Sequence, residues 1–163
     1  MIDKIGVSIS MKKFDKIVLT ASLMLAVAIP SFAAISSEPA ALDMLKKASA
    51  QYKALGADAA KAEFNKPGGD YVNGSLYLYC VGNADHKMNV HPVNKALLGV
   101  DFFTLKDSDN FEFGKAVMAA AQAGKVNTVD YKWPNPATKT IGEKRVYFEN
   151  FGTDTCVVGV YKD

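Results

Sequence analysis

Two cysteines, two histidines, a small acidic cluster and an aromatic pair spaced by one residue are where this chain carries groups able to do chemistry. Cys80 and Cys156 are its only thiols, and they lie far outside a Cys-x-x-Cys spacing, which argues against a redox centre. They read as a disulfide where the compartment is oxidising, or as two separately buried thiols where it is not. His86 and His91 stand five apart with a turn and a strand between them, which is not the spacing of two metal ligands on one helix face. Asp107, Asp109 and Glu112 resemble the start of a calcium loop but lack its glycine and its distal bidentate glutamate, so a solvated turn is the plainer reading. Catalytic signatures are missing: there is no Gly-x-Ser-x-Gly elbow, no His-Glu-x-x-His and no glycine loop for phosphate, and bridged cysteines leave no thiol for a Cys-His dyad. The chain therefore reads as a non-enzyme with no metal and no cofactor.

Tyr131 and Trp133 alternate with Lys132, so a strand turns both rings to one face, as the wall of a pocket or as an ordinary core pair. Lys144 sits beside Arg145, and alternation sends only one of the two inward; from spacing alone Lys144 reads as a surface charge.

The compartment is set by the N-terminus. Lys12, Lys13 and Lys16 lead into a 13-residue apolar run over 17–29, closed by Pro30-Ser31-Phe32-Ala33, with small residues at the two positions that a signal peptidase reads. We expect residues 1–33 to be a secretory signal peptide cut after Ala33, with Met11 as the more natural start; a retained membrane anchor is the alternative. Residues 34–163 then make a single periplasmic or secreted domain, too short for two cores. It carries 15 basic and 15 acidic residues, with no basic run to hold nucleic acid or an anionic membrane. No second stretch is apolar enough to span a bilayer.

The elements that must position these groups follow from periodicity. Ser37 and Pro39 open a helix whose Leu42, Leu45, Ala48, Tyr52 and Leu55 share a face, interrupted at Gly56 and continued over 57–65. From Ser75 the period becomes two, with Leu76, Leu78 and Cys80 opposed to Tyr77, Tyr79 and Val81. A second strand over 87–91 ends at Pro92. A helical turn at 94–98 and a helix over 111–123 follow, and strands at 127–133, 141–150 and 155–161 close the chain as a meander. The order predicts an α+β fold: a five-stranded, mostly antiparallel PAS-like sheet, with a long N-terminal helix on one face and a helical insertion on the other.

Gly74-Ser75-Leu76-Tyr77-Leu78-Tyr79, then Val90-His91-Pro92 with Asn94, Leu97, Leu98 and Gly99, then Leu105-Lys106-Asp107 resemble, in order and spacing, the single Cache domain family of extracytoplasmic ligand-sensing modules in bacterial chemoreceptors and sensor kinases. Tyr131 through Pro136, Lys144, Tyr147 and the closing Val158-Gly159-Val160-Tyr161 extend the likeness over nearly all of 34–163. The family's Asp-Gly turns are replaced here by Gly82-Asn83-Ala84-Asp85 and Asp109-Asn110, and its proline before the Lys144 position by Glu143.

The resemblance implies that the first and last strands are neighbours, which favours the Cys80–Cys156 bridge. It also implies a pocket between sheet and insertion for acetate, pyruvate, lactate or propionate. A carboxylate leaves water only where a cation and donors meet it. The resemblance assigns Lys144 as that cation, Tyr131 and Tyr147 as hydroxyl donors, Trp133 as wall and His91 at the rim. The implied role is binding in signal transduction or chemotaxis, as a soluble sensor or solute-binding partner of a membrane receptor or kinase. The alternative is a ligandless interaction domain with its pocket filled by its own side chains.

Overall fold

Glu38–Leu55 forms the first helix, α1, because Ser37 accepts the Ala40 N–H as its cap and Pro39 falls in the first turn, where its missing donor is harmless. Residues 37–162 are described by the structure, a computed structural model; the signal segment and its cut lie outside them. Gly56, at φ 79°, breaks the helix, and α2 (Ala57–Phe64) follows it directly. Ala41, Leu45, Ala48 and Tyr52 of α1 are buried, whereas Leu55 is exposed.

A sheet follows: β1 (Val72–Asn73), β2 (Leu76–Gly82), β3 (Met88–Val90), β4 (Asn127–Pro134), β5 (Ile141–Asn150) and β6 (Asp154–Tyr161). Its order is β1-β2-β6-β5-β4, with β3 also on β2, and all these pairings are antiparallel. The fold is thus α+β, as the element order predicts, with one strand more than five. The extra strand, β1, has two residues that fold back on β2 through Gly74 at φ 61°, too short a run to show a period in the sequence.

Alternation along β2 splits the core in two. Leu76, Leu78 and Cys80 join the cluster beneath α1 and α2, while Tyr77, Tyr79 and Val81 join the one beneath the insertion. The insertion holds two 3-10 turns, Lys95–Leu97 and Phe102–Thr104, and the helix α3 (Phe113–Ala120). Gly114 lets α3 approach the chain closely, since a Cβ there would lie 2.0 Å from the Phe102 carbonyl oxygen.

The helix expected over 111–123 is shorter at both ends. Asn127 donates to the Ala120 carbonyl, Gln122 accepts the Asn150 N–H, and Ala123 bridges Asn150, so sheet-edge pairing takes the residues that helix propensity alone would have kept. Cys80 and Cys156 are direct register partners on β2 and β6 and form a disulfide.

Candidate functional site

Strand register builds the site row by row on the insertion side of the sheet. Tyr131, Lys144 and Tyr161 oppose one another across β4, β5 and β6. In the next row Val129, Val146, Gly159 and Tyr77 align from β4 to β2. Gly159 leaves a gap in that row, and the Lys144 stem fills it. A Cβ at position 159 would lie 1.9 Å from Lys144 Cε and 3.0 Å from its Nζ. A glycine inside a strand often marks such a close approach.

The Lys144 ammonium, 0% exposed, donates to the Tyr77 hydroxyl at 2.8 Å. It lies 4.0, 5.1 and 5.8 Å from the ring centroids of Tyr77, Tyr161 and Tyr79, so aromatic faces supply most of its solvation. Among the described residues it has no carboxylate partner. Burial alone pushes its pKa down to about 7, because nothing anionic offsets the loss of water. Burial also raises Tyr77, Tyr79 and Tyr131, which keeps their hydroxyls neutral and able to donate. The Tyr79 and Tyr131 hydroxyls are 3.2 Å apart, and Tyr161 donates to the Pro134 carbonyl at 2.7 Å.

His91 reaches this cluster through a bulge. Cys80 pairs with Val90 and Val81 with Met88, leaving Asn89 unmatched and bending β3 as it runs out to Pro92. The imidazole, 3% exposed, stacks on Tyr79 at 6.0 Å between centroids and lies 5.3 Å from Tyr77. Burial, and then the Lys144 charge, push its pKa down to about 4, so the ring is neutral near pH 7. Its Nδ1 accepts the Asn94 N–H at 3.0 Å, which places the remaining proton on Nε2.

Two hollows meet here. The inner one, about 10 Å³, has room for a single water and lies among Tyr77, Tyr79, His91, Phe113, Tyr131 and Trp133. The outer one, about 290 Å³, opens between Tyr77, His91, Trp133, Asn94, Pro136 and Lys139. Tyr77, His91 and Trp133 line both. Lys144 lines neither, but its ammonium bonds the hydroxyl of Tyr77, which lines both.

A third hollow, about 400 Å³, is walled by Asp107, Asp109, Asp130 and Glu143 with Lys132 and Lys162. Its charges pair with one another, and Asp107 accepts the N–H groups of Asp109, Phe111 and Lys132, as a solvated turn does. Among the described residues no group of three His, Cys, Asp or Glu side chains is placed to hold a metal.

Tyr131, Trp133, Lys144 and His91 are thus brought together. Tyr147 is not, and its expected place beside Lys144 is corrected by strand parity. An odd separation of three on β5 turns it to the opposite face, where it packs in the core beneath α1. Tyr77, Tyr79, Tyr161 and Gly159 belong to the site although the sequence reading did not place them there. The signal for the first two was already present in their alternation with Leu76 and Leu78.

An antiparallel sheet sandwiched between a long helix and an insertion, with a buried cation and phenols facing the insertion, makes this an α+β domain of PAS-like architecture. The chain belongs to the family "Single Cache domain 2", whose profile matches residues 40–163. It is 28% identical over 87 residues to the methyl-accepting chemotaxis protein McpP of Pseudomonas putida, an alignment covering 52% of this chain and 16% of that protein. The chain therefore corresponds to a small part of that relative's length.

Three solved structures share the fold. A methyl-accepting chemotaxis protein from Vibrio parahaemolyticus superposes with a TM-score of 0.64 at 17% identity, over 77% of this chain and 88% of that one. A Cache chemosensory domain described for its carboxylic acid recognition gives 0.54 at 24%, over 77% and 88%. The periplasmic sensor domain of a chemotaxis protein gives 0.53 at 22%, over 77% and 90%. The matched relative and the three solved structures are chemotaxis proteins and chemosensory domains. Among the described residues no helix is long and apolar enough to cross a membrane.

Proposed function

We propose that this domain senses a short-chain organic anion of the acetate, pyruvate, lactate or propionate class, outside the cytoplasm, and passes its state to a membrane receptor or kinase. The observation that carries this reading is the buried Lys144 ammonium, which has no carboxylate partner among the described residues. The Tyr77 hydroxyl and the aromatic faces offset part of its desolvation but supply no opposite charge, and a buried charge without one is destabilising. A ligand carboxylate supplies the missing charge, the hydroxyls of Tyr77 and Tyr131 and the His91 Nε2–H supply donors, and Trp133 closes the apolar wall. The recognition of carboxylic acids by a Cache chemosensory domain of the same fold supports the choice of ligand. The signal-like segment over 17–29 supports export.

The ligand enters from the outer cleft. Tyr77, whose hydroxyl already accepts from Lys144, is the group it meets on the way to the ammonium. A two- or three-carbon acid exceeds a 10 Å³ space, so binding parts the insertion from the sheet, and the bound arrangement differs from the empty one. That difference is what a partner protein reads.

The size of the inner hollow is also the observation that favours a second reading, a ligandless interaction domain whose aromatics fill their own pocket. Calorimetric titration of residues 34–163 with acetate, propionate, pyruvate and lactate separates the two. Saturable heat that Lys144→Met abolishes is the expected result. Silence across the panel, with no thermal shift, would leave only the filled-pocket domain.

A further inference from the structure

His91 offers the site one donor, and what fixes that donor lies on the other layer of the fold. Asn65 is the residue that ends α2. Its side-chain Oδ1 accepts the His91 N–H at 2.9 Å and its Nδ2 donates to the Asn89 carbonyl at 2.8 Å. One partner is a donor and the other an acceptor, so the amide has a single orientation that satisfies both. The two contacts fall on Asn89 of β3 and on His91, two residues on and just past the strand's end, as a neighbouring strand's would. Asn65 thus does for the short strand β3 what a paired strand does elsewhere.

The bulged Asn89 is held from the same side. Its amide donates to Asp154, which also accepts from Tyr52 of α1 and Thr153 and lies 3.6 Å from Lys61 of α2. The segment that delivers His91 therefore hangs from the helical layer. The imidazole itself hangs from Asn94, whose N–H occupies Nδ1, and among the described residues Nε2 has no partner.

We propose that Asn65 is a positioning residue of the sensing site: by bracketing Asn89 and His91 it holds the imidazole against the Asn94 N–H, so that His91 presents Nε2–H to the hollows it lines. The ligand half of this assignment rests on the proposed anion-binding function; the imidazole half does not. Asn65 touches no ligand. It works through His91, and it ties the donor to the end of α2, so a ligand that pulls on Nε2–H loads the helical layer through one side chain.

The test has two arms on the chain spanning residues 34–163. In the first, the imidazole nitrogens are observed by two-dimensional proton–nitrogen spectroscopy without ligand. Wild type is expected to show a neutral Nε2–H ring at His91, and Asn65→Ala a mixture of tautomers. An Nδ1–H ring in wild type, or an unchanged ring in the variant, would overturn the proposal.

In the second arm propionate is titrated into wild type, Asn65→Ala, His91→Ala and the double variant. Each single change is expected to weaken binding about tenfold, and the double change no further, because both remove the same donor. Two losses that multiply would overturn it, since a merely structural Asn65 would act independently of His91. Should Asn65→Ala not fold, Asn65→Asp takes its place in both arms, keeping the acceptor for His91 and losing the donor to Asn89. If wild type binds none of the acids, the anion reading fails, and the first arm alone decides the role of Asn65.

Discussion

The side chain of Lys144 lies across Gly159 of the adjacent strand, in the space where any other residue would place its Cβ. This is how a long cation is buried at full length inside a sheet without splitting it: one missing side chain makes the channel, and Tyr77 on the next strand ends it with a hydroxyl at 2.8 Å. The arrangement is sensitive to a single methyl group. Gly159→Ala is expected to destabilise the domain by about 1–3 kcal/mol through overpacking. It should also abolish anion binding, since the ammonium can no longer reach Tyr77. Thermal melts and propionate titrations of the variant check both, and a stable variant that binds normally would show that Lys144 does not need the channel.

Lys144 is a burden on the empty fold. Between pH 7 and 10.5 the unfolded chain holds a proton that the folded chain has released, so stability rises with pH over that window. From about pH 7 to about pH 9 the gain is about 2–3 kcal/mol, and below about pH 7 the full penalty of a buried charge is present. Lys144→Met is expected to melt higher than wild type at neutral pH, to lose this slope and to lose anion binding. Urea unfolding across the pH range measures the slope. A variant less stable than wild type at pH 7 would mean that the ammonium is solvated better than its surroundings indicate.

Binding should carry the same proton in the opposite sense. A bound carboxylate raises the Lys144 pKa from about 7, so above that pH the complex takes up a proton and affinity falls by up to tenfold per pH step. Calorimetry at about pH 8 in buffers of different ionisation enthalpy should report close to one proton taken up per ligand. At about pH 6 the uptake should vanish, because both states are already protonated there. Equal uptake at both values would assign the proton to another group.

Much of the fold was legible because its signals are local. The bounds of β5 agree with the expected 141–150, since a Pro-Asn-Pro turn and a Gly152 turn punctuate both ends. The shortened α3 was not legible: Ala121 through Ala123 suits a helix, and only the distant edge at Asn150 draws Gln122 and Ala123 into sheet pairing. For the site, spacing left Lys144 a surface charge, because which of Lys144 and Arg145 turns inward depends on pairings made by other strands. The family likeness implies an inward Lys144, and register explains it: Arg145 instead forms a two-point ion pair with Asp130 at the surface. Parity alone separates Tyr147 from Lys144, and a glycine amid Val157, Val158 and Val160 was a readable mark of close approach.

The hydroxyls should therefore divide by face. Tyr77→Phe removes the only hydrogen-bond acceptor that Lys144 has among the described residues and is expected to weaken anion binding about tenfold. Tyr147→Phe, on the α1 side, should leave binding unchanged. Parallel titrations check this, and a loss in the Tyr147 variant equal to that in the Tyr77 variant would contradict the placement of the site.

The disulfide lies on the Tyr147 side of the sheet as well. Cys80 and Cys156 are buried with Leu78 and Val158 under α1, and their bridge closes a span of 76 residues. By chain entropy such a loop contributes up to about 4 kcal/mol, through the unfolded state rather than through the site. Reduction, or paired Cys80→Ala and Cys156→Ala changes, should lower the melting temperature while leaving propionate affinity unchanged wherever the reduced chain remains folded. The separation follows from the architecture. β2 carries Cys80 on one face and Tyr77 and Tyr79 on the other, so the bridge secures the β2–β6 pairing that both faces share without touching the anion's donors. A fall in affinity at a temperature where circular dichroism still shows the native fold would mean that the bridge sets the β2–β6 register on which the Lys144 channel depends.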